Sequence, residues 1–342
     1  MTLPTTRMIN PKYVIAGSFS RDFVIPASQF PRLDFMGGNA AFSAAGLALW
    51  DKPVGIISRV GADFPQEWLS QLGAFEMDHR GVKTLAENID LRHFYGYNQD
   101  GTFQTGSPVG RFAAIEYPIP LDLINYSPEK QPVDDLRSRR PTSPLSTDIP
   151  VDYHDAIAAH LCPMDFITQS LLQTVLRSGE IKTITLEADP AYLLPENWKS
   201  IPTVVSGLSC FTVDEEPISL FFRGRTIEPL EMASALGSMG SEHIIIRKKG
   251  GGKLLYQHST NRNWLIPDYP VKKVNAHSSQ HAFSGGYLAG YILTYDPLLA
   301  MAYGNVSESI TAEGLHPLSI FEALPGLAQA RLKILTEQVT LL

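Results

Sequence analysis

The chain has 342 residues, of which 44% are apolar and 18% are charged, a composition typical of a soluble globular protein with one large α/β domain or two smaller ones. Its formal net charge of −7 argues against a nucleic-acid partner, because such proteins need a basic face to neutralise phosphates. The two cysteines, Cys162 and Cys210, are too few for a disulfide framework or a thiolate zinc site.

The sequence carries no targeting or membrane signal that we recognise. Residues 1–7 lack the apolar segment of a signal peptide. No uncharged apolar run approaches the roughly 20 residues that a transmembrane helix needs. We therefore expect a soluble, cytoplasmic protein with no membrane partner.

The first third of the chain alternates between strand and helix patterns. Residues 13–17 form a β-branched run that ends at a glycine, as in a buried parallel strand. The sequence Gly37-Gly38-Asn39 precedes residues 40–50, an Ala- and Leu-rich segment without proline that predicts a helix. Residues 54–58 predict the next strand, and this β-α-β order favours a doubly wound parallel sheet.

A small second sheet is predicted beside the main one. Residues 92–97 and 102–105 flank the turn-type sequence 98–101, which predicts a hairpin. Residues 23–25 and 30–36 are further strand candidates for this sheet.

The stretch near residues 127–150 is rich in proline, serine and charge and has little periodicity, so we expect a long, mobile loop. The basic cluster Arg137-Ser138-Arg139-Arg140 lies within it, and we expect it to be solvated.

The α/β alternation resumes after this loop, and no internal repeat is apparent. Strands are predicted at residues 156–161, 184–186, 204–206 and 244–246, and helices at residues 166–178, 229–239, 281–295 and 296–302.

Two glycine-containing segments carry the functional signal. Residues 37–44 begin with Gly37-Gly38-Asn39, and residues 57–63 follow them as Ile-Ser-Arg-Val-Gly-Ala-Asp. Late in the chain, residues 274–287 contain Ala282-Phe283-Ser284-Gly285-Gly286. Together these segments resemble the N- and C-terminal signatures of the PfkB, or ribokinase-like, carbohydrate kinases.

The resemblance extends over roughly residues 13–314 and implies a fold. That fold is a ribokinase-like three-layer αβα sandwich with a small β-sheet lid over the sugar pocket. We expect a domain over residues 13–316, with lid elements near 23–36 and 92–106, and a C-terminal helical segment over 317–342. The resemblance also implies a homodimer through the lid.

The sugar site implied by the resemblance consists of Asp22, Gly37, Gly38 and Asn39. A sugar presents several hydroxyl groups, so short polar side chains and closely approaching backbone suit it. Without the family likeness, Asp22 also fits a charge at the end of a strand and the glycines fit a turn.

The phosphate site differs from the family pattern. Where the family has Gly-Ala-Gly before its catalytic Asp base, this chain has Ser278, Ser279 and Gln280 before His281. A helix N-terminus still offers N–H groups to an anion, and either serine could cap a helix that begins near His281. Neutral histidine can also accept a proton.

Three other residues correspond to nucleotide-binding positions of the family. Glu216 corresponds to the Glu of an Asn-x-x-Glu motif, Gly252 to the second glycine of a Gly-x-x-Gly turn, and Asn305 lies on the closing helix beside the adenine site. The run Arg247-Lys248-Lys249 fits either phosphate contacts or a solvated strand end.

A zinc site at His277 and His281 is an alternative that the sequence does not favour. The two residues have i, i+4 spacing, but no third ligand is evident and Ser278 stands where HExxH proteases have Glu. We therefore predict no metal site formed by the chain itself, and family resemblance alone implies Mg²⁺ and ATP.

The sequence supports three functional hypotheses. We favour a degenerate member, a pseudokinase, that binds a sugar or nucleoside with absent or weak phosphotransfer. The alternative is an active ATP-dependent sugar kinase with His281 as the base. A scaffold with an empty pocket is the third.

Overall fold

The structure is a computed structural model that describes residues 10–27, 30–99, 102–128, 134–272, 274, 276–337 and 340–341, with the backbone alone at 276, 277, 340 and 341. Its strands are β1 (Tyr13–Ala16), β2 (Ser20–Ile25), β3 (Arg32–Gly37), β4 (Val54–Val60), β5 (Met77–Thr84), β6 (Arg92–Tyr97), β7 (Phe103–Gln104), β8 (Ala158–Leu161), β9 (Thr183–Glu187), β10 (Cys210–Asp214), β11 (His243–Arg247), β12 (Lys253–Gln257), β13 (Arg262–Ile266) and β14 (Thr340–Leu341). Its helices are α1 (Asn39–Ala48), α2 (Gln66–Leu72), α3 (Pro108–Ala114), α4 (Phe166–Arg177), α5 (Pro202–Val205), α6 (Glu215–Phe221), α7 (Pro229–Ser238), α8 (Ala276–Thr294), α9 (Pro297–Glu313) and α10 (Leu327–Glu337).

The large sheet has ten strands in the order β14-β13-β12-β11-β10-β9-β8-β1-β4-β5. The pairs from β11 to β5 are parallel, and the pairs among β11, β12, β13 and β14 are antiparallel. The parallel strands therefore end at a common edge of the sheet, where open α/β sheets place their ligands.

Helices cover both faces of this sheet. Val14 and Ala16 point into a core shared with α4, α5, α6 and α7. Tyr13 and Ile15 point to the opposite face, where α1 and α8 pack. Strands buried on both faces have continuous apolar sequences, as the sequence of β1 shows. This is the expected three-layer αβα arrangement.

Helix α8 packs closely on two neighbouring helices. A Cβ atom at Gly285 would overlap the backbone carbonyl of Ser43 in α1, and one at Gly286 would overlap the Ser307 side chain in α9. The sequence predicts close packing of these glycines against the sheet. The prediction of close packing is confirmed, but the partners are helices.

The small sheet has the order β3-β2-β6-β7. On one face Phe23 and Phe94 pack against Phe112 of α3 and Leu123, so the chain itself covers part of that face. On the other face Tyr95 borders a cleft over the large sheet. A homodimer through this lid stays a prediction, as do the domain boundaries. None of the described helices is both long and apolar enough to cross a membrane.

Three secondary-structure predictions were wrong. Residues 204–206 were predicted as a strand, but Val204 and Val205 end the short helix α5, and the strand is β10. Helix α8 begins at Ala276, five residues before the predicted start. Helix α9 continues to Glu313, well past residue 302, and its N-cap is Asp296, which accepts hydrogen bonds from Leu298 N and Leu299 N.

The described part of the predicted long loop is anchored rather than freely solvated. Asp148 forms an ion pair with Arg59, with Nε and Oδ2 2.6 Å apart. Asp165 accepts hydrogen bonds from Arg140 N and Ser143 Oγ. The expectation of a solvated cluster is therefore wrong for Arg140, whereas Arg137 and Arg139 are exposed.

Candidate functional site

A cleft of about 330 Å³ lies between the small sheet and the carboxyl edge of the large sheet. Glu187, Asp214 and Arg247 line it, and they are the last residues of β9, β10 and β11. Its other walls include the β1–β2 connection, the start of α1, strand β6 with the residues before it, the start of α8, and residues 140–142, 163 and 188–190. The cleft is therefore where a parallel α/β sheet places a ligand.

Two of the predicted sugar-site residues, Gly38 and Asn39, line the cleft. Gly38 has a φ of 96°, and a Cβ atom there would overlap the Ser18 carbonyl, so the position requires glycine. The Asn39 side chain accepts a hydrogen bond from Ser18 N at 2.8 Å and donates one to Pro163 O at 2.9 Å. Asn39 therefore ties two walls of the cleft together.

The other two, Asp22 and Gly37, lie directly behind the cleft surface. Ser20 Oγ donates to Asp22 Oδ1 at 2.6 Å, while Asp22 Oδ2 is buried with no hydrogen-bond partner. Burial raises the pKa of Asp22 to about 7. A side chain at Gly37 would overlap the Asp22 carboxyl. The Asp22 carboxyl is therefore packed between Ser20 and Gly37, with its Oδ1 4.0 Å from His93 Nδ1.

His281 lies in the cleft beside a buried ionic network. Its Nδ1 is 3.1 Å from Glu187 Oε1. Glu187 is buried and also accepts from Arg247 Nη2 at 2.7 Å and from Ser284 Oγ at 2.8 Å. Arg247 Nε donates to Asp214 Oδ1 at 2.6 Å. The predicted base position is thus connected to a carboxylate and a guanidinium.

The ionisation of this network follows from its pairing. Burial alone disfavours the charged form of Glu187, but Arg247 and His281 outweigh it and hold the pKa of this carboxyl well below its usual range. Burial lowers the pKa of the nearby His160 imidazole to about 4, because the attraction of Glu187 offsets only part of the cost of desolvation. The cleft therefore has a permanently charged Glu187–Arg247 pair at its base.

The start of α8 contributes Ser278 and Gln280 to the cleft, whereas Ser279 is fully buried and does not line it. Because α8 begins at Ala276, these residues lie within its first two turns. The turn that the resemblance places before the helix is therefore already helical here. Side chains at 276 and 277 lie outside the described residues, so the zinc hypothesis cannot be placed on the structure; among described residues there is no group of three metal-ligating side chains.

Arg140 is a cleft residue that the sequence did not reveal. Its Nη1 donates to Asp189 Oδ2 at 2.7 Å, and both residues line the cleft. Glu187 and Asp189 were also missed, although a carboxylate at the end of a predicted parallel strand is a usable signal. Nothing in the local sequence distinguishes Arg140 from its exposed neighbour Arg139.

The predicted nucleotide residues lie away from the cleft. Glu216 is exposed and 3.6 Å from Lys249 Nζ. Gly252 lies in the turn before β12 with a φ of 78°. The Asn305 side chain donates to Pro267 O at 3.2 Å. These three residues do not converge on the cleft.

The space beside Asn305 is too small for a nucleobase. It measures about 10 Å³, which is room for roughly one water molecule. Lys253, Asp268 and Glu308 form an ion-pair cluster at this place, with Lys253 Nζ 2.7 Å from each carboxylate. The described residues therefore leave little room beside Asn305 in this conformation.

Comparisons with known proteins agree on the fold. No family model matches the chain. A ribokinase from Thermotoga maritima has a TM-score of 0.64 at 15% identity, covering 94% of this chain and 99% of its own. A nucleoside kinase from Burkholderia thailandensis, solved with inosine, has a TM-score of 0.66 at 16% identity, covering 94% and 96%. The fold is ribokinase-like.

A sequence relative links the chain to the family. It is a cytidine kinase from Thermococcus kodakarensis, 25% identical over 284 residues, which is 81% of this chain and 87% of the relative. The chain is therefore similar in sequence to one kinase and in fold to the ribokinase-like kinases. The relatives are sugar and nucleoside kinases. A further structure of the same fold, a ribokinase II from Escherichia coli, was solved with ATP and Mg²⁺; it has a TM-score of 0.68 at 15% identity, covering 94% of this chain and 99% of its own.

Proposed function

We propose that this protein binds a small polyhydroxylated molecule, a sugar or a nucleoside, in the cleft, and that phosphotransfer is absent or weak. The observation that carries this proposal is the contrast between an open polar cleft of about 330 Å³ and a space of about 10 Å³ beside Asn305. The cleft on the acceptor side is open, and the space that the described residues leave beside Asn305 is small.

The cleft suits a ligand with several hydroxyl groups. Its walls offer acceptors at Asp189 and Asp214 and donors at Arg140 and Gln280. Phe19 and Leu91 add apolar surface. A few polar groups within a partly apolar concave surface are what a small-molecule site requires.

The same cleft is poorly suited to a triphosphate. Both guanidinium groups that line it, Arg140 and Arg247, form ion pairs with carboxylates. An incoming polyanion would have to displace those carboxylates. The position of the family's Asp base is occupied by His281, so the usual proton acceptor is also changed.

A binding screen tests the proposal. Cytidine, inosine, ribose and a set of other sugars would be added to the full chain, and thermal unfolding would be recorded for each mixture. Compounds that shift the transition would be confirmed by calorimetric titration. A ligand at about 100 Kd should stabilise the native state by about 2.7 kcal/mol. If no sugar or nucleoside shifts the unfolding transition, the scaffold hypothesis replaces this one.

An active kinase is the second candidate, and the contact between His281 Nδ1 and Glu187 favours it. A carboxylate-oriented imidazole is a common general base. This candidate predicts a phosphorylated product whose formation needs His281. A His281→Ala variant with full turnover would exclude His281 as the base.

A further inference from the structure

The His281 ring has two different environments. The residue lines the cleft, yet its Nδ1 is buried in the protein. Nδ1 lies 3.1 Å from Glu187 Oε1, a close contact that is not aligned as a linear hydrogen bond. Because Nδ1 and Nε2 are on different edges of the ring, Nε2 is the nitrogen that a ligand in the cleft can reach.

Glu187 can only accept hydrogen bonds in this setting. Its two oxygens already receive Arg247 Nη2 and Ser284 Oγ at 2.7 and 2.8 Å. The guanidinium partner is itself buried and bound to Asp214, so the pair stays charged. A carboxylate facing Nδ1 therefore favours a proton on Nδ1, which leaves the lone pair of the neutral ring on Nε2.

We propose that Glu187 is a positioning residue that holds His281 with its proton on Nδ1, so that Nε2 accepts a hydrogen bond from a hydroxyl or amino group of the bound small molecule. This proposal rests on the proposed function for its ligand, but not for the state of the ring. It assigns a role to a residue that lies 94 positions before His281 in the sequence.

The arrangement has a consequence for specificity. A ligand that places a hydroxyl against Nε2 satisfies the acceptor, whereas the same ligand with hydrogen or a methyl ether there leaves a polar group unpaired. Loss of such a partner in a desolvated site typically weakens binding by about 5- to 150-fold. The cleft therefore selects a hydrogen-bond donor at this position in either candidate function.

The state of the ring can be measured without any ligand. The full chain, labelled with ¹⁵N-histidine, would be studied at pH 8 by two-bond ¹H–¹⁵N correlation, with His281→Gln identifying the His281 signals. We expect a protonated Nδ1 and an unprotonated Nε2 in the wild type. An Nε2-protonated ring in the wild type would overturn the proposal.

A Glu187→Gln variant provides the second readout, with the exposed Glu180→Gln as control. A glutamine amide can donate to Nδ1, so we expect the proton to move toward Nε2 in the first variant and to stay on Nδ1 in the second. An unchanged ring in folded Glu187→Gln would contradict the role of Glu187. If that variant does not fold, the wild-type spectrum alone decides.

Cytidine and ribose are then added to the labelled wild type. A shift of the His281 Nε2 signal larger than that of Nδ1 is expected for a bound donor. A compound that binds in the cleft by calorimetry but leaves Nε2 unchanged would overturn the ligand contact. Failure of every compound to bind counts against the proposed function, while the ring measurement still judges the role of Glu187.

Discussion

Two buried cations of this protein have similar partners but different surroundings. Arg247 pairs with Glu187 and Asp214 and borders a cleft of about 330 Å³. Lys253 pairs with Asp268 and Glu308 beside a space of about 10 Å³. The two clusters therefore have similar charges but different packing, since the first borders enough space for a ligand and the second borders almost none. Charge pairing alone does not identify a site; free volume beside it does.

The largest expected effect comes from removing the second cation. Lys253→Met leaves Asp268 and Glu308 without their ammonium partner, and breaking a buried pair in this way typically costs about 3–5 kcal/mol of the free energy of unfolding. Urea denaturation measures that loss. Ligand affinity of the folded fraction should not change.

The matched control is Lys249→Met, because Lys249 is exposed and its pair with Glu216 is solvated. Its stability should stay within about 0.5 kcal/mol of the wild type. A Lys253→Met protein as stable as this control, or one with altered ligand affinity, would break the distinction between the two clusters.

Asp22 differs from the carboxylates of both clusters, because it is a buried carboxyl with no Lys or Arg partner among the described residues. Its pKa is raised by burial to about 7, so the folded protein holds this proton more tightly than the unfolded chain does. The stabilisation is present at low pH and is lost as the pH rises from about 4 to 7.

The test compares Asp22→Asn with the wild type in urea at pH 5 and pH 7.5. The variant has no titrating group, so its stability relative to wild type should increase between these two pH values by on the order of 2–3 kcal/mol. Asp155→Asn, at an exposed position, is the control and should follow the wild type. Parallel pH profiles for all three proteins would contradict a raised pKa at Asp22.

Arg140 gives the smallest expected change in stability. Arg140→Gln removes the partly exposed cation that pairs with the buried Asp189 carboxylate, so the free energy of unfolding should fall by about 1–2 kcal/mol. Calorimetric titration should nevertheless show a change in ligand affinity of up to about tenfold, because Arg140 lines the cleft. Arg139→Gln, which is exposed, should change neither quantity, and equal affinities for both variants would remove Arg140 from the site.

The sequence predicted those parts of the fold that depend on local patterns. Continuous apolar runs predicted β1, β4 and β11. The hairpin pattern predicted the lid strands β6 and β7 on the two sides of their turn. The strand predicted at residues 204–206 was wrong because a β-branched pair has the same local pattern in a short buried helix as in a strand. The predicted start of α8 was five residues too late, because serine and glutamine do not end a helix as glycine does.

The candidate site was predictable only where a motif marked it. Gly38, Asn39 and His281 were found through family likeness, and all three line the cleft. Glu187 and Arg247 come from separate strands and meet only through the order of the sheet. That pairing depends on tertiary structure, which a single sequence does not display.

The central claim is that the cleft binds a sugar or nucleoside with the same affinity whether or not Mg·ATP is present. The most direct measurement is a calorimetric titration of the best sugar or nucleoside hit, with and without saturating Mg·ATP, followed by analysis of the mixture for phosphorylated product. We predict the same Kd in both titrations and little or no product. Conversion of the ligand at about 1–100 s⁻¹, the range of working kinases, would contradict the account.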